Sequence, residues 1–268
     1  MFSYIFQGIL QGLTEFLPVS SSGHLTLFQH FSGSHDLETN MLTDISLHFG
    51  TLLAVIFFFR ADLLPYFTPA GWKDAARRRV AFLIIAGSIP TAIIGLSFKK
   101  NFEALFSMPR AVCIALFLTG TILLISEKLK KHSSQTELCK LSWFRSLAIG
   151  VAQGLAITPG ISRSGSTIAA GLLLGLKGEE AAKFSFLLMI PAVGGATLLE
   201  FKDLAKTGLP ANLDLTGLVS GTLAATLTGF LALKFLVYII KEQKLSYFSY
   251  YLFLVSITSF ILIQFAGK

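Results

Sequence analysis

Apolar and polar residues alternate along this chain in blocks. Six apolar runs, at roughly 42–59, 80–98, 110–127, 180–199, 214–238 and 247–266, approach the ~20 residues that a helix needs to cross a hydrocarbon core. Two other stretches, 3–33 and 143–176, are built differently. Each consists of two apolar pieces of about 10–14 residues on either side of a break rich in Pro, Gly and Ser, too short to span singly and suited to a re-entrant hairpin that enters and leaves on one side. The pattern predicts an all-α polytopic membrane protein with six transmembrane helices and two re-entrant helical hairpins.

The two broken stretches resemble each other. Residues 8–24 read GILQGLTEFLPVSSSGH and residues 150–166 read GVAQGLAITPGISRSGS. At a constant offset, Gly8, Gln11, Gly12, Leu13, Ser20, Ser22 and Gly23 recur as Gly150, Gln153, Gly154, Leu155, Ser162, Ser164 and Gly165. Broken hydrophobic segments at matching places in two halves point to a duplicated protein with a buried site between its halves. One integral domain is expected over residues 1–268, with a first repeat over about 1–127 and a second over about 140–268. Outside the two motifs the halves do not align by sequence.

Composition supports the membrane reading. Hydrophobic residues make up 53% of the chain and charged residues 14%, with a mean hydropathy of +0.68, against about 25% charged in soluble domains. The net charge of +7 does not indicate nucleic acid, because the basic residues lie in loops between apolar runs. About thirteen Lys and Arg fall in the loops at 60–79, 128–145, 177 and 241–244, and about six fall at 99–110, at 202–206 and at the C-terminus. The excess places the first set in the cytoplasm and both termini outside. Three spans separate the motifs, so the hairpins enter from opposite faces, as in an inverted-topology repeat. Cys113 and Cys139 define neither a disulfide framework nor a metal site, and the N-terminus lacks the basic region of a signal peptide.

Candidate chemistry sits at the two breaks. Gln11 and Glu15 share a helix face by their i, i+4 spacing. Pro18 ends that helix, and Ser20, Ser21 and Ser22 open the next, with His24 in its first turn. In the second motif Pro159 and Gly160 make the break, and Ser162, Arg163, Ser164 and Thr167 open the following helix. A serine-rich helix N-terminus offers N–H groups, hydroxyls and partial positive charge, which suits an anion. Arg163 adds a fixed, bidentate cation. An acid and an arginine at membrane depth are expensive and point to function. Ser residues at a helix start are more often simple caps, Gln153 is expected to satisfy backbone near its break, His48 to be a packing residue, and His30, His35, His132, Asp44 and Arg60 to be boundary or loop residues. The ligand implied is a compact polyanion.

These residues resemble the undecaprenyl-diphosphate phosphatase family of bacterial membranes, the bacitracin-resistance type. The family's first signature is similar to Gln11, Glu15, Pro18, Ser20, Ser21, Gly23 and His24. The second, Pro-Gly-x-Ser-Arg-Ser-x-x-Thr, is matched by Pro159, Gly160, Ser162, Arg163, Ser164 and Thr167, and the run at 185–191 also looks like the family. The resemblance implies a phosphatase that removes the terminal phosphate of a polyprenyl diphosphate within membrane lipid and recycles the carrier lipid for peptidoglycan synthesis. It also implies a divalent cation, Mg²⁺ or Ca²⁺, and a site facing the outer side of the cytoplasmic membrane. Glu15, Ser21, His24 and Arg163 would then be catalytic. Ser20, Ser162, Ser164 and Thr167 would bind phosphate oxygens, and Glu15, with Gln11 as a weaker ligand, would bind the cation. A homodimer is compatible with the sequence, which does not fix the oligomeric state.

Two chemical routes fit: attack by Ser21 with His24 assisting proton transfer, or attack by water activated by His24 or Glu15. On architecture alone a secondary transporter would come first. A transporter needs anion donors but no Ser, His and Glu placed for proton transfer.

Overall fold

The computed structural model describes residues 1–33, 37–129, 136–207, 214–242 and 245–266. His35 and His132, read as loop residues, and part of the 128–145 and 241–244 loops lie outside them. Among the described residues the chain is all-α, apart from one bridge between Thr136 and Leu176. In chain order the helices are α1 (Phe2–Phe16), α2 (Ser21–Phe31), α3 (Leu37–Phe58), α4 (Arg60–Leu63), α5 (Ala75–Ser97), α6 (Lys99–Phe106), α7 (Pro109–Leu129), α8 (Trp143–Leu155), α9 (Arg163–Leu173), α10 (Gly178–Thr207), α11 (Leu215–Glu242) and α12 (Ser246–Ala266). Segment 99–110, expected to be a loop, instead carries the two-turn helix α6.

Six of these helices are long and apolar enough to cross a membrane: Thr39–Phe58, Ala75–Ser97, Pro109–Leu129, Gly178–Lys202, Leu215–Ile239 and Ser246–Phe265. They are the six apolar runs of the sequence. Their outward faces are continuous apolar stripes: Phe82, Ile85, Ile89 and Ile93 on α5, Val219, Leu223, Leu227 and Leu231 on α11, and Tyr250, Leu254, Ile257 and Ile261 on α12 are all exposed. Rows of that length on several helices would aggregate in water and are satisfied by lipid. The chain is a multi-pass membrane protein.

The short helices pair as the two motifs predict, α1 against α2 and α8 against α9. Each pair then packs on a long helix from the other half: α1 lies along α11, and α8 along α5. Glycine sets both contacts. A Cβ on Gly8 would stand 2.1 Å from the Gly221 carbonyl oxygen, and a Cβ on Gly150 would stand 1.9 Å from that of Gly87. Gly8 and Gly150 hold matching places in the two motifs, and each meets a glycine carbonyl of its long-helix partner, Gly221 on α11 and Gly87 on α5. Such small-residue seams let helix backbones touch where lipid supplies no hydrophobic drive. Both seams are parallel. Ser146 donates to Leu83 O and Thr91 to Gly150 O along one, while Met1 meets Asp214 and Gly12 approaches Ala225 along the other.

The loops sort to two ends. At one end Arg79 donates to Leu141 O, the Leu138 N–H to Glu180, Lys183 to Asp62, and the Ser246 N–H to Glu127. At the other, the N-terminus pairs with Asp214, and Lys99 with Glu200. The first end gathers the loops richest in Lys and Arg.

Candidate functional site where the two short helix pairs meet

Both breaks obey the same local rules. Leu17, ahead of Pro18, is extended (φ −64°, ψ 145°), as the proline ring requires. Ser20 caps α2 by accepting from the Gly23 N–H (3.3 Å), and Ser162 caps α9 by accepting from the Gly165 N–H (3.0 Å). The first-turn N–H groups after each cap have no acceptor within their own helix. Ser20 also has φ 67°, the one positive φ on a non-glycine residue among the described residues. That conformation costs roughly 1–3 kcal/mol, and such strain collects at functional sites.

The two tips touch. Ser164 donates from Oγ to the Leu17 carbonyl (3.0 Å), and a Cβ on Gly23 would stand 3.0 Å from Gly160 Cα. Helix α7 supports both tips: Thr119 donates to Gly160 O (2.9 Å) and accepts from the Ser162 N–H (3.1 Å) at the second, and the Leu116 side chain packs against Gly23 at the first.

Glu15 lies at the centre. Its Oε1 accepts from Arg163 Nη2, and its Oε2 accepts from the Ser21 hydroxyl and from Gln11 Nε2 (2.9 Å). The acid of one tip is therefore paired with the arginine of the other, which the sequence predicts only by analogy between the repeats. Glu15 is 4% exposed and Arg163 14%. Arg163 Nη1 is buried without a partner, as is Gln11 Oε1. A buried guanidinium N–H left unpaired is costly, so Arg163 holds a donor in reserve for an acceptor such as a phosphate oxygen.

Other predicted residues are placed less simply. His24 does not meet Ser21. Its Nδ1 is 2.8 Å from Ser20 O and its Nε2 is 2.8 Å from the Tyr251 hydroxyl on α12. Ser162 and Ser164 are 3.2 Å apart through their hydroxyls, and Thr167 donates to the Arg163 carbonyl and lies 2.6 Å from the Ser185 hydroxyl. These three build the α9 tip. Gln153 donates to Thr91 (3.2 Å) and Leu188 O (3.4 Å), joining α5 and α10 rather than serving the break.

Two residues join the site without a motif to announce them. His48, expected to be a packing residue, puts Nε2 3.7 Å from Glu15 Oε2 and is 29% exposed. Asp44, expected at a helix boundary, lies inside α3 and accepts from Gln29 (2.8 Å). Their signal was helical spacing: Asp44 and His48 form one i, i+4 pair, and Ser3, Gln7, Gln11 and Glu15 form a polar stripe at the same interval along α1. Gln7 donates to Ser3 (3.2 Å) within that stripe.

A hard cation needs several oxygen donors. The cluster offers the Glu15 carboxylate, the unpartnered Gln11 Oε1 and the Ser21 hydroxyl. Among the described residues no group of three or more His, Cys, Asp or Glu stands ready to hold a metal. Glu15, Gln11 and Ser21 could supply oxygens to such an ion, but too few to hold it without further ligands.

Comparison with known proteins agrees with the geometry. The family model for bacitracin resistance protein BacA matches residues 4–258, a stretch that holds both breaks and the whole cluster. The undecaprenyl-diphosphatase of Halothermothrix orenii is 45% identical, the alignment covering 98% of this chain and 98% of that one. That of Carboxydothermus hydrogenoformans is 44% identical over 100% and 98%, and that of Methanobrevibacter smithii 41% identical over 95% and 94%. With matches of this length and identity, the chain belongs to the bacitracin resistance protein BacA family.

Proposed function

We propose that this protein is an integral membrane phosphatase that hydrolyses undecaprenyl (polyprenyl) diphosphate to the monophosphate carrier lipid and inorganic phosphate. It thereby recycles the carrier for peptidoglycan synthesis and confers bacitracin resistance. The relatives named undecaprenyl-diphosphatase support the substrate. One observation carries the chemistry: Glu15 and Arg163, from different halves, meet beside the Ser21 hydroxyl.

The apolar tail stays in lipid while the diphosphate enters between the tips. Arg163 turns its free Nη1 and the adjoining α9 N-terminus toward phosphate oxygens, and Ser20 and Ser162 keep the two helix starts open to them. Phosphoryl transfer rests on positioning and charge stabilisation. The Ser21 hydroxyl already points at Glu15, which favours Ser21 as the attacking group. Its Oγ forms a bond to the terminal phosphorus, the anhydride P–O bond breaks, the lipid monophosphate leaves, and the Ser21 proton passes to Glu15. Water then cleaves the phosphoserine, giving its OH to phosphorus and its remaining proton to Oγ, and Glu15 passes the proton taken from Ser21 to the departing phosphate, which restores the starting site. His24 joins these steps only by leaving Tyr251, so the Ser21 proton is assigned to Glu15. Glu15 and Gln11 would hold Mg²⁺ or Ca²⁺ against the diphosphate; such an ion supplies charge neutralisation on the transferring and leaving oxygens.

The short helix pairs are read as re-entrant hairpins within an inverted repeat. The swapped packing of α1 on α11 and α8 on α5 supports this, since a two-fold operation exchanges the two seams. The loop end rich in Lys and Arg is assigned to the cytoplasm of a bacterial inner membrane and the site to the outer side. The test is phosphate release by the purified protein in detergent with a polyprenyl diphosphate. Stoichiometric release is expected with Mg²⁺ or Ca²⁺ and loss of at least ~90% under chelation, restored by adding the cation back. No release under any cation refutes the reading in favour of transport.

A further inference from the structure

Tyr251 lies outside both serine-rich segments. It projects from α12, a helix whose main partner is α7, and the residue is 42% exposed on a face shared with lipid-facing residues. A phenylalanine would serve that face equally well. The hydroxyl instead reaches inward to His24.

The hydrogen-bond roles there follow from the partners. The Ser20 carbonyl can only accept, so His24 Nδ1 (2.8 Å away) carries the proton. With the ring neutral its lone pair lies at Nε2, into which the Tyr251 O–H, 2.8 Å away, can donate. The two rings are parallel within 2° at 5.6 Å between centroids. With both nitrogens engaged, His24 has one tautomer and one orientation. The carbonyl it holds belongs to Ser20, the residue with positive φ that directly precedes Ser21, and the same carbonyl also accepts from the His24 N–H at 3.2 Å. A chain of contacts thus runs from Tyr251 through His24 to the strained peptide that presents Ser21.

We propose that Tyr251 is a positioning residue of the phosphoryl-transfer site, fixing His24 and through it the backbone break at Ser20 so that Ser21 faces Glu15 and Arg163. This rests on the phosphatase reading above. Tyr251 touches none of the reacting atoms; it makes the second half of the chain hold the nucleophile-bearing tip of the first.

Tyr251→Phe in the full-length protein removes the hydroxyl and keeps the ring. The expected result is a kcat about tenfold lower with KM for polyprenyl diphosphate within twofold, and an unchanged melting temperature in detergent. Side-chain ¹⁵N spectra of histidine-labelled protein, with the His24 signal identified by its absence in His24→Gln, should show the Nδ1–H tautomer in the wild type and a tautomer mixture in Tyr251→Phe. In a His24→Gln background, adding Tyr251→Phe should cost nothing further. The proposal is overturned by a kcat within twofold of wild type, by a loss of kcat with an unchanged His24 spectrum, or by a further loss in the His24→Gln background. Wild-type protein that releases no phosphate at all would instead sink the phosphatase reading, and this proposal with it, while the spectra would still report on the hydrogen bond itself.

Discussion

At the scale of single residues the site is a charge pair built to be incomplete. Glu15 and Arg163 neutralise each other at a depth where either alone would be expensive, yet Arg163 keeps one buried N–H without a partner. The Ser21 hydroxyl is oriented by Glu15 rather than by a histidine. Replacing Ser21 by Ala is therefore expected to lower turnover at least ~100-fold, within the range seen when a positioned catalytic group is lost. Rapid quench of the wild type with labelled substrate should trap a phosphoserine at the same position. Near-normal turnover of Ser21→Ala, or the absence of label on Ser21, would transfer the attack to water. Glu15 and Arg163 stood out in the sequence because charged residues at membrane depth have few bland explanations, whereas Ser21 by itself reads as one more serine at a helix start. His48 and Asp44 did not stand out, because a lone His or Asp in an apolar run looks the same whether it packs, caps or faces a site, and only the fold of α3 against α1 resolves which.

At the scale of elements, the pattern of apolar runs located all six long helices and both broken pairs, because hydrocarbon thickness and proline geometry act on the local chain. The partnering of helices was not legible. The seam between α1 and α11 joins residues more than two hundred positions apart, and its signal is only a pair of glycines on each side, Gly8 and Gly12 against Gly221 and Gly229. That seam makes a sharp forecast. Gly8→Ala drives a methyl group into the Gly221 carbonyl, and overpacking of this kind costs about 1–3 kcal/mol; the melting temperature in detergent should fall by several degrees. Gly195→Ala is the matched control, since no atom lies within 4 Å of the added Cβ, and it should leave the melting temperature unchanged or slightly higher. Equal behaviour of the two variants would mean that the α1–α11 contact is not close. α6 was missed for a different reason: its eight residues are too few to print a helical period against the charged loop around them.

At the scale of the whole molecule, the two halves hold each other's short helices, so neither half completes the site. The likeness of the two motifs was visible in the sequence and no such likeness appeared between them, because lipid-facing positions accept any large apolar residue and keep no register. The assignment of sides has its own test. In protein whose Cys113 and Cys139 are replaced, a membrane-impermeant maleimide applied to intact cells should label Ser107→Cys, on the end that holds α6. It should label Lys73→Cys, on the end rich in Lys and Arg, only after permeabilisation. The opposite pattern would invert the molecule in the membrane and place the site on the cytoplasmic side.

Residues that act as one unit lose their effect together rather than in sequence. The most direct measurement is thus the phosphate-release rate of Ser21→Ala, Arg163→Ala and the double variant, each checked for intact folding. If the tips of the two short helix pairs form one pocket, each single change should lower the rate at least ~100-fold and the double variant should be no slower than the worse of the two. Losses that multiply, or near-normal turnover in either single variant, would show that the serine of one half and the arginine of the other do not act on the same phosphate.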